Sequence, residues 1–152
     1  KEEVLKDLPE KIEEISHCPL LHDQYTLYQQ VVEKERQELT HLSADSSAVH
    51  IFTILMKLKM ICNHPACYLK NPADYQKYQS GKFALFKELL DEALGSNQKV
   101  VVFSQYLNML DIFELYLNHS KISFASIRGS TKNRAQEIQR FQQDPNCKVF
   151  LG

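Results

Sequence analysis

Two patterns of hydrophobic positions divide the chain near residue 80. Before this point, apolar residues recur at steps of three, four or seven, which is the spacing of amphipathic helices. After it, helical spacing alternates with three short apolar runs at residues 100–103, 122–127 and 149–151. Uninterrupted runs of β-forming residues are typical of strands buried on both faces of a sheet. The pattern predicts a helical segment over residues 1–79 and an α/β segment over 80–152.

The first segment predicts two helices after a charged lead-in over residues 1–18. The first helix is expected to begin at Leu21 and to end near Leu42, with an apolar face of Tyr25, Tyr28, Val32, Leu39 and Leu42. The second is expected to begin at an N-cap, Ser46 or Ser47, and to present Val49 or Ile51, Leu55, Leu58 and Cys62. The acids of residues 33–38 are interpreted as a solvated helix face.

The end of the second predicted helix is marked by Asn63, His64 and Pro65, because proline blocks the backbone and the polar side chains can bond to it. Residues 65–80 contain Pro72, Asn71 and Ser80 as well, and they are interpreted as a loop and a domain boundary.

The second segment alternates strands and helices. Its first helix carries the stripe Phe83, Phe86, Leu90 and Leu94, closed by Gly95 in a left-handed conformation. Asn108 is expected to cap the next helix, which carries Leu110, Phe113 and Leu117, and a last helix is expected over 131–142. Strands joined through helices form a parallel sheet with helices on its faces, so the segment is assigned to the α/β class.

Small or polar residues follow each predicted strand, at the edge of the sheet where open α/β folds bind ligands. After the second strand, the backbone N–H groups and hydroxyls of Gly129, Ser130 and Thr131 suit an anion, and Lys132 and Arg134 add positive charge. The same spacing allows Ser130 or Thr131 simply to cap the helix.

Ser104 and Gln105 follow the first strand at the same edge. Polar side chains in this position either donate to a phosphate oxygen or form an ordinary strand-to-helix turn. The third strand is followed by Gly152, the last residue.

Composition restricts the function without defining it. The 152 residues are 43% hydrophobic and 24% charged with a net charge of -1, so any attraction to nucleic acid must come from local groups of Lys and Arg. The sequence has no apolar run long enough for a membrane span and no signal-peptide pattern. Four unevenly spaced cysteines predict free thiols and a reducing, intracellular location.

No catalytic residue is identifiable from spacing. With four glycines, the chain has no Gly-rich phosphate-binding loop, and no Ser/His/Asp set occurs. Cys62, His64 and Cys67 lie within six residues, but tetrahedral zinc needs a fourth ligand and no second ligand pair is present. We therefore expect no metal site and a structural role for these residues.

A set of short motifs in a fixed order resembles the Swi/Snf-type ATPase family of superfamily 2 helicases, most closely its bacterial members. The motifs cover nearly the whole chain and are Leu8-Pro-Glu-Lys11, Cys18-Pro-Leu20, Gln24 with Tyr28, Leu58-Lys-Met-Ile-Cys-Asn-His-Pro65, Ser80-Gly-Lys82, Val101-Val-Phe-Ser-Gln105 with Met109-Leu110, Gly129-Ser-Thr131, Arg134, Phe141 and Val149-Phe-Leu151.

The resemblance implies an ATP-driven motor that tracks along double-stranded DNA. The chain would be a helical extension followed by the first part of the second RecA-like lobe, a truncated three-layer domain. ATP and Mg would bind in the full-length protein, whose P-loop lobe is expected upstream of Lys1 and whose arginine motif is expected beyond Gly152. The fragment alone is expected to bind neither and to be inactive.

The resemblance also implies which residues contact DNA phosphates: Ser104, Gln105, Gly129, Ser130, Thr131 and Arg134, with Arg128 and Lys132 as possible further contacts. Many relatives have an acid at the position of Arg128, which either strengthens the grip or replaces a structural hydrogen bond. Lys82 is interpreted as a structural residue at a helix start. Expected partners are duplex DNA, the first lobe of the same chain and DNA-associated protein complexes, and not a membrane.

Two other functions remain open. Helices within residues 21–62 could dock a protein partner, with the α/β segment as a scaffold and no enzymatic role. Alternatively, the chain could be a lobe of an RNA-directed helicase. The expected location is the bacterial cytoplasm, or the nucleus in a eukaryote.

Overall fold

The computed structural model describes residues 11–39 and 44–152. The predictions that fall on residues 1–10 and 40–43, including an end of the first helix at Leu42, lie outside the described residues. The elements, in chain order, are α1 (His22–Leu39), α2 (Ala44–Asn63), α3 (Pro65–Tyr68), a 3-10 helix (Pro72–Lys77), α4 (Gly81–Gly95), β1 (Val100–Val102), α5 (Leu107–His119), β2 (Phe124–Ser126), α6 (Arg134–Gln143) and β3 (Val149–Leu151).

The three strands form one parallel sheet in the order β1-β3-β2. Val149 of β3 is in register with Val100 on one side and with Phe124 on the other. The predicted α/β class and the parallel sheet are therefore confirmed, although β1 and β2 are shorter than the apolar runs that predicted them.

Side chains from β3 alternate between the two faces of the sheet. Val149 and Leu151 are fully buried in the core that α4 and α5 form, which includes Leu90 and Leu117. On the opposite face, the ring of Phe150 lies 5.4 Å from that of Phe141 in α6. The sheet is therefore the middle layer between two helical layers.

The expectation that the first strand is buried on both faces is wrong for Val101. Its side chain belongs to the same face as Phe150, its partner in the register, and the residue is 49% exposed. The reason is that α6 packs beside β2 and leaves this part of β1 open.

The end of α4 and the start of α2 differ from the predicted ones. Gly95 is the last residue of α4 and has no positive φ; the left-handed residue is Asn97, with φ 58°. Gln98 N then donates to Ala93 O at 2.8 Å, which satisfies a carbonyl of the last turn. Ser46 and Ser47 lie within α2 and so do not cap it.

Residues 65–80 are not a plain loop. They form α3 and the 3-10 helix, and the side chain of Tyr75 is buried against the ring of Phe83 at 5.6 Å. Because this segment packs into the core, proline and asparagine here mark the starts of short helices rather than a flexible connection.

The predicted apolar face of α1 is confirmed in part, because Tyr28, Val32 and Leu39 are half-buried. Tyr25 is 55% exposed, whereas Gln24, Val31 and Glu35 are buried. Glu35 Oε1 accepts from Lys57 Nζ at 2.5 Å, and Glu35 Oε2 lies 3.0 Å from His50 Nε2. The hydrogen bond from Lys57 holds the pKa of Glu35 below its ordinary value despite burial. The interpretation of Glu35 as part of a solvated face is therefore wrong.

Gln24 connects the helical segment to the start of α4. Its Nε2 donates to Ile61 O at 2.9 Å and Cys62 O at 3.0 Å, and its Oε1 accepts from Gly81 N at 2.9 Å. A side chain at Gly81 would bring its Cβ into collision with the backbone carbonyl oxygen of Pro19. One buried amide and one glycine thus fix how α1, α2 and α4 meet.

We predict that Gln24→Leu destabilises the chain by about 2–4 kcal/mol, because Gly81 N and two carbonyls lose their partner while the site stays buried. Urea unfolding measures the change, with Gln29→Leu, an exposed position on α1, as the control. An equal effect of the two substitutions would show that the buried amide has no special role.

Candidate functional site

The carboxyl ends of the three strands lie together at one edge of the sheet because the strands are parallel. The ladder extends past the strands here: Ser104 N donates to Gly152 O at 2.9 Å, and Ile127 N donates to Leu151 O at 2.8 Å. The structure therefore brings Ser104 and the segment after Ile127 to either side of the β3 end. This is the edge that the sequence predicts as functional.

Ser104 forms the turn between β1 and α5. Its Oγ accepts from Tyr106 N at 3.1 Å, and α5 begins at Leu107. Asn108 does not cap this helix; its Nδ2 donates to Cys67 O at 3.1 Å instead. Gln105, next to Ser104, is exposed at the edge. The hydroxyl of Ser104 has a structural partner, and the amide of Gln105 faces solvent.

Residues 128–131 form a closed turn before α6. Thr131 Oγ1 accepts from Arg128 N at 2.9 Å, and Thr131 N donates to Arg128 O at 3.1 Å. This turn occupies the start of the helix that the sequence predicts over 131–142, so α6 begins at Arg134 and its N-cap position is Asn133. The interpretation of Ser130 or Thr131 as the helix cap is therefore wrong.

The outer surface of this turn is open. Gly129 and Ser130 are exposed, and a Cβ at Gly129 would meet nothing within 4 Å. Arg134 Nη2 donates to Gly129 O at 3.4 Å, which holds a guanidinium beside the turn, and Lys132 is exposed next to it. The turn thus combines accessible backbone with two nearby cations.

Arg128 faces away from this surface and pairs with two acids of α5. Its Nη1 lies 2.5 Å from Asp111 Oδ1, and its Nη2 lies 2.8 Å from Glu114 Oε1. Burial opposes the charge of Arg128, but the two carboxylates outweigh it and raise the pKa of the guanidinium. The side chain therefore anchors the turn to α5. The acids at three-residue spacing on α5 are the signal that sequence reasoning missed.

A cleft of about 600 Å³ adjoins the β1 end of the edge. Its apolar floor comes from α4 and α5, and its polar wall includes residues from both halves of the chain: Lys59, Asn63, Lys82, Ser104 and Gln105. Sequence reasoning did not place Lys59 or Asn63 at the functional edge, because contacts between distant segments leave no periodic signal.

The Cys62–Cys67 segment has the predicted structural role. His64 is fully buried, and its Nδ1 accepts from Ala66 N at 3.1 Å, which caps α3. Burial lowers the pKa of His64 to about 4 and raises that of Cys67 to about 12. All four cysteines of the chain are free thiols.

One group of side chains has the spacing of metal ligands: Glu35, Glu38 and His50 place ligand atoms within 4.8 Å of one another. Lys57 Nζ already lies 2.5 Å from Glu35, so an ammonium group supplies the positive charge there.

Among residues 11–39 and 44–152, no helix is long and apolar enough to cross a membrane.

A central parallel sheet between helical layers, with polar turns at its carboxyl edge and a helical extension in front, is the architecture of part of a RecA-like domain. Two family descriptions match the chain: "SNF2-related domain" over residues 1–67 and "Helicase conserved C-terminal domain" over 81–152. The chain belongs to the Swi/Snf family of helicase-like ATPases.

Individual relatives agree with this assignment. The SWI2/SNF2 ATPase core of Sulfolobus solfataricus in complex with dsDNA has a TM-score of 0.81 and 27% identity, covering 99% of this chain and 32% of that one. The Bacillus subtilis protein YwqA is 31% identical over 99% of this chain, which spans 17% of YwqA.

The human DNA excision repair protein ERCC-6 is also 31% identical, over 95% of this chain and 10% of its own length. The chain thus spans a small part of the curated relatives that it matches. Equal identity to YwqA and ERCC-6 does not separate bacterial from eukaryotic relatives, and a bacterial origin stays a prediction.

We predict that acid destabilises the chain through His64. Below pH 6.5 the unfolded chain binds a proton at this position, while the folded chain stays neutral until about pH 4, so stability falls as the pH is lowered through this range. Between pH 7 and pH 5 the expected loss is about 1–2 kcal/mol.

Urea unfolding at the two pH values, compared with His64→Asn, checks this prediction. Asparagine can still accept from Ala66 N but does not titrate, so its loss of stability between the two pH values should be smaller. Equal losses in both proteins would contradict the assignment.

Proposed function

We propose that this chain is the helical extension and the first part of the second motor lobe of an ATP-dependent translocase on double-stranded DNA. The observation that carries the proposal is the pair of polar turns at one sheet edge, in a chain that belongs to the Swi/Snf family. The Sulfolobus relative in complex with dsDNA supports duplex DNA as the ligand. Residues 1–79 and 80–152 would be the two parts, with the boundary before α4.

Gly129, Ser130, Thr131 and Arg134 form the main proposed contact with a DNA phosphate. The turn offers exposed backbone and a hydroxyl, and Arg134 brings a positive charge beside Gly129 O. Such contacts hold the backbone without reading sequence, as a translocase requires. Lys132 is exposed on the same turn and adds charge.

Ser104 and Gln105 form the second proposed contact, on the other side of the β3 end. Gln105 would donate a hydrogen bond from its exposed side-chain amide to a phosphate oxygen. Ser104 would stabilise the turn that holds Gln105 at the edge. Arg128 is proposed as the anchor of the first contact, since its charge is offset by Asp111 and Glu114.

ATP use by the full-length protein is supported by the ATP-dependent enzymes among its relatives. The residues of this chain do not form a nucleotide-binding site of their own, because the sequence contains no Gly-rich phosphate-binding loop. We therefore assign ATP and magnesium to other parts of the full-length protein and expect this fragment alone to be inactive. Its partners would be duplex DNA, the first lobe of the same chain and DNA-associated protein complexes, and its location would be intracellular.

The protein-docking function is a second candidate because of an apolar surface on α2. Val49 is 71% exposed and Phe52 is 70% exposed, and Ile51, Leu55 and Met56 are exposed near them. A docking module would show no response to DNA, whereas an RNA-directed helicase would prefer RNA to a DNA duplex of the same length.

We predict that the triple substitution Ser130→Ala, Thr131→Ala and Arg134→Ala in the full-length protein weakens binding to a DNA duplex about ten- to hundredfold, since three hydrogen-bonding groups are removed. DNA-stimulated ATP hydrolysis should fall with it at subsaturating DNA. Both are measured against salt, because a phosphate contact weakens as salt rises.

Two variants serve as controls for this experiment. Thr131→Ser keeps the hydroxyl that accepts from Arg128 N and should retain DNA binding. Gln139→Ala changes an exposed residue farther along α6 and should have no effect. Unchanged DNA binding and ATPase activity in the triple variant would overturn the proposed phosphate contact.

A further inference from the structure

The cleft beside the β1 end carries positive charge that the protein does not neutralise. Lys59 and Lys82 are the charged residues among the described residues that line it, and no acidic residue lines it. Both lysines are exposed. In a chain with a net charge of -1, this cleft is therefore a local positive site.

Several other cations in the described part of the chain are neutralised by acidic partners. Lys57 pairs with Glu35, Lys77 with Asp74, and Arg128 with Asp111 and Glu114. Lys82 Nζ instead donates to the neutral Asn63 Oδ1 at 3.1 Å, and Lys59 has no ion pair or hydrogen bond to another described residue. Their charges remain available to an anionic ligand.

The position of Lys82 is fixed by the backbone around it. Ser80 Oγ donates to Asn63 O at 2.7 Å and accepts from Phe83 N at 3.2 Å, which joins the end of α2 to the start of α4. Since Asn63 also accepts from Lys82, the ammonium group is held at the rim of the cleft. An ordered cation loses less conformational entropy on binding than a free one.

The wall of the cleft also supplies uncharged donors. Ser104 and Gln105 line it, and so does Tyr106, whose buried hydroxyl has no hydrogen-bond partner among the described residues. Hydroxyl and amide donors beside two ammonium groups suit the oxygens of a phosphodiester.

Resting on the proposed function, we propose that Lys59 and Lys82 contact the DNA backbone and extend the path of phosphates from Gln105 onto the helical extension. The duplex would then be held by both halves of the chain, at the turn after β2, the turn after β1 and the end of α2. Lys82 therefore has a binding role in addition to its bond to Asn63.

The test measures duplex binding by the full-length protein against salt concentration for Lys59→Gln, Lys82→Gln and the double variant. Each lost phosphate contact should reduce the slope of log affinity against log salt by about 0.9, and the double variant by about 1.8. Lys87→Gln is the matched control, because Lys87 is also on α4 but lines a different cavity, near the ring of Phe83.

A purely structural role for Lys82 predicts a different pattern. Asn63→Ala would then reproduce the effect of Lys82→Gln on thermal stability, and the salt slope would stay that of the wild type. Lys82→Arg keeps the charge and should restore the slope under the proposal. Slopes of the lysine variants equal to that of the Lys87→Gln control would overturn it.

The salt dependence of duplex binding distinguishes a failure of the proposed function from a failure of the assignment of Lys59 and Lys82. Without any salt-dependent duplex binding by the wild-type protein, the proposed function itself is wrong. With a steep wild-type slope that Lys59→Gln and Lys82→Gln leave unchanged, the DNA-binding function stands and the assignment of the cleft is wrong.

Discussion

The pairing of β3 with both β1 and β2 is the constraint on which the candidate site depends. Because β3 is the middle strand and all three are parallel, the turns after β1 and β2 emerge on either side of the same strand end. Backbone bonds from Ser104 to Gly152 and from Ile127 to Leu151 continue the ladder into these turns. Two segments that are separated in sequence by a whole helix thus become neighbours at one edge. The buried side chains of Val149 and Leu151 fix this register against α4 and α5.

A second set of contacts aligns the helical extension with that edge. Gln24 bonds to the end of α2 and to the start of α4, and Ser80 bonds to Asn63 between the same two helices. The amino end of α4 lies beside the carboxyl end of β1, so the extension contributes lysines to the cleft next to Ser104 and Gln105. In a motor of this family, such a rigid connection would let the extension and the second lobe hold the same stretch of DNA. The proposed function and the cleft proposal both rest on this geometry.

Features that depend on local periodicity could be predicted from the sequence, whereas features that depend on contacts between distant residues could not. The three apolar runs each contain a strand, and Phe83, Leu90 and Leu117 lie in the core as expected. Glu35 and Gln24 are polar residues in a buried face, and their partners on α2 and at the start of α4 explain why they are tolerated. The late start of α6 at Arg134 follows from the bond between Thr131 and Arg128, which residue propensities do not reveal. The sequence allows two roles for Arg128, and its ion pairs with Asp111 and Glu114 account for its place in the fold.

Hydrogen–deuterium exchange on the full-length protein, with and without duplex DNA, tests the central claim most directly. The account predicts slower exchange on DNA binding at residues 104–106 and 129–134, which follow β1 and β2 at the carboxyl edge. The turns at residues 96–99 and 120–123, which precede the same strands at the opposite edge, should exchange at an unchanged rate. Protection of the 96–99 and 120–123 turns, with none at the carboxyl edge, would contradict the claim that this edge holds the DNA.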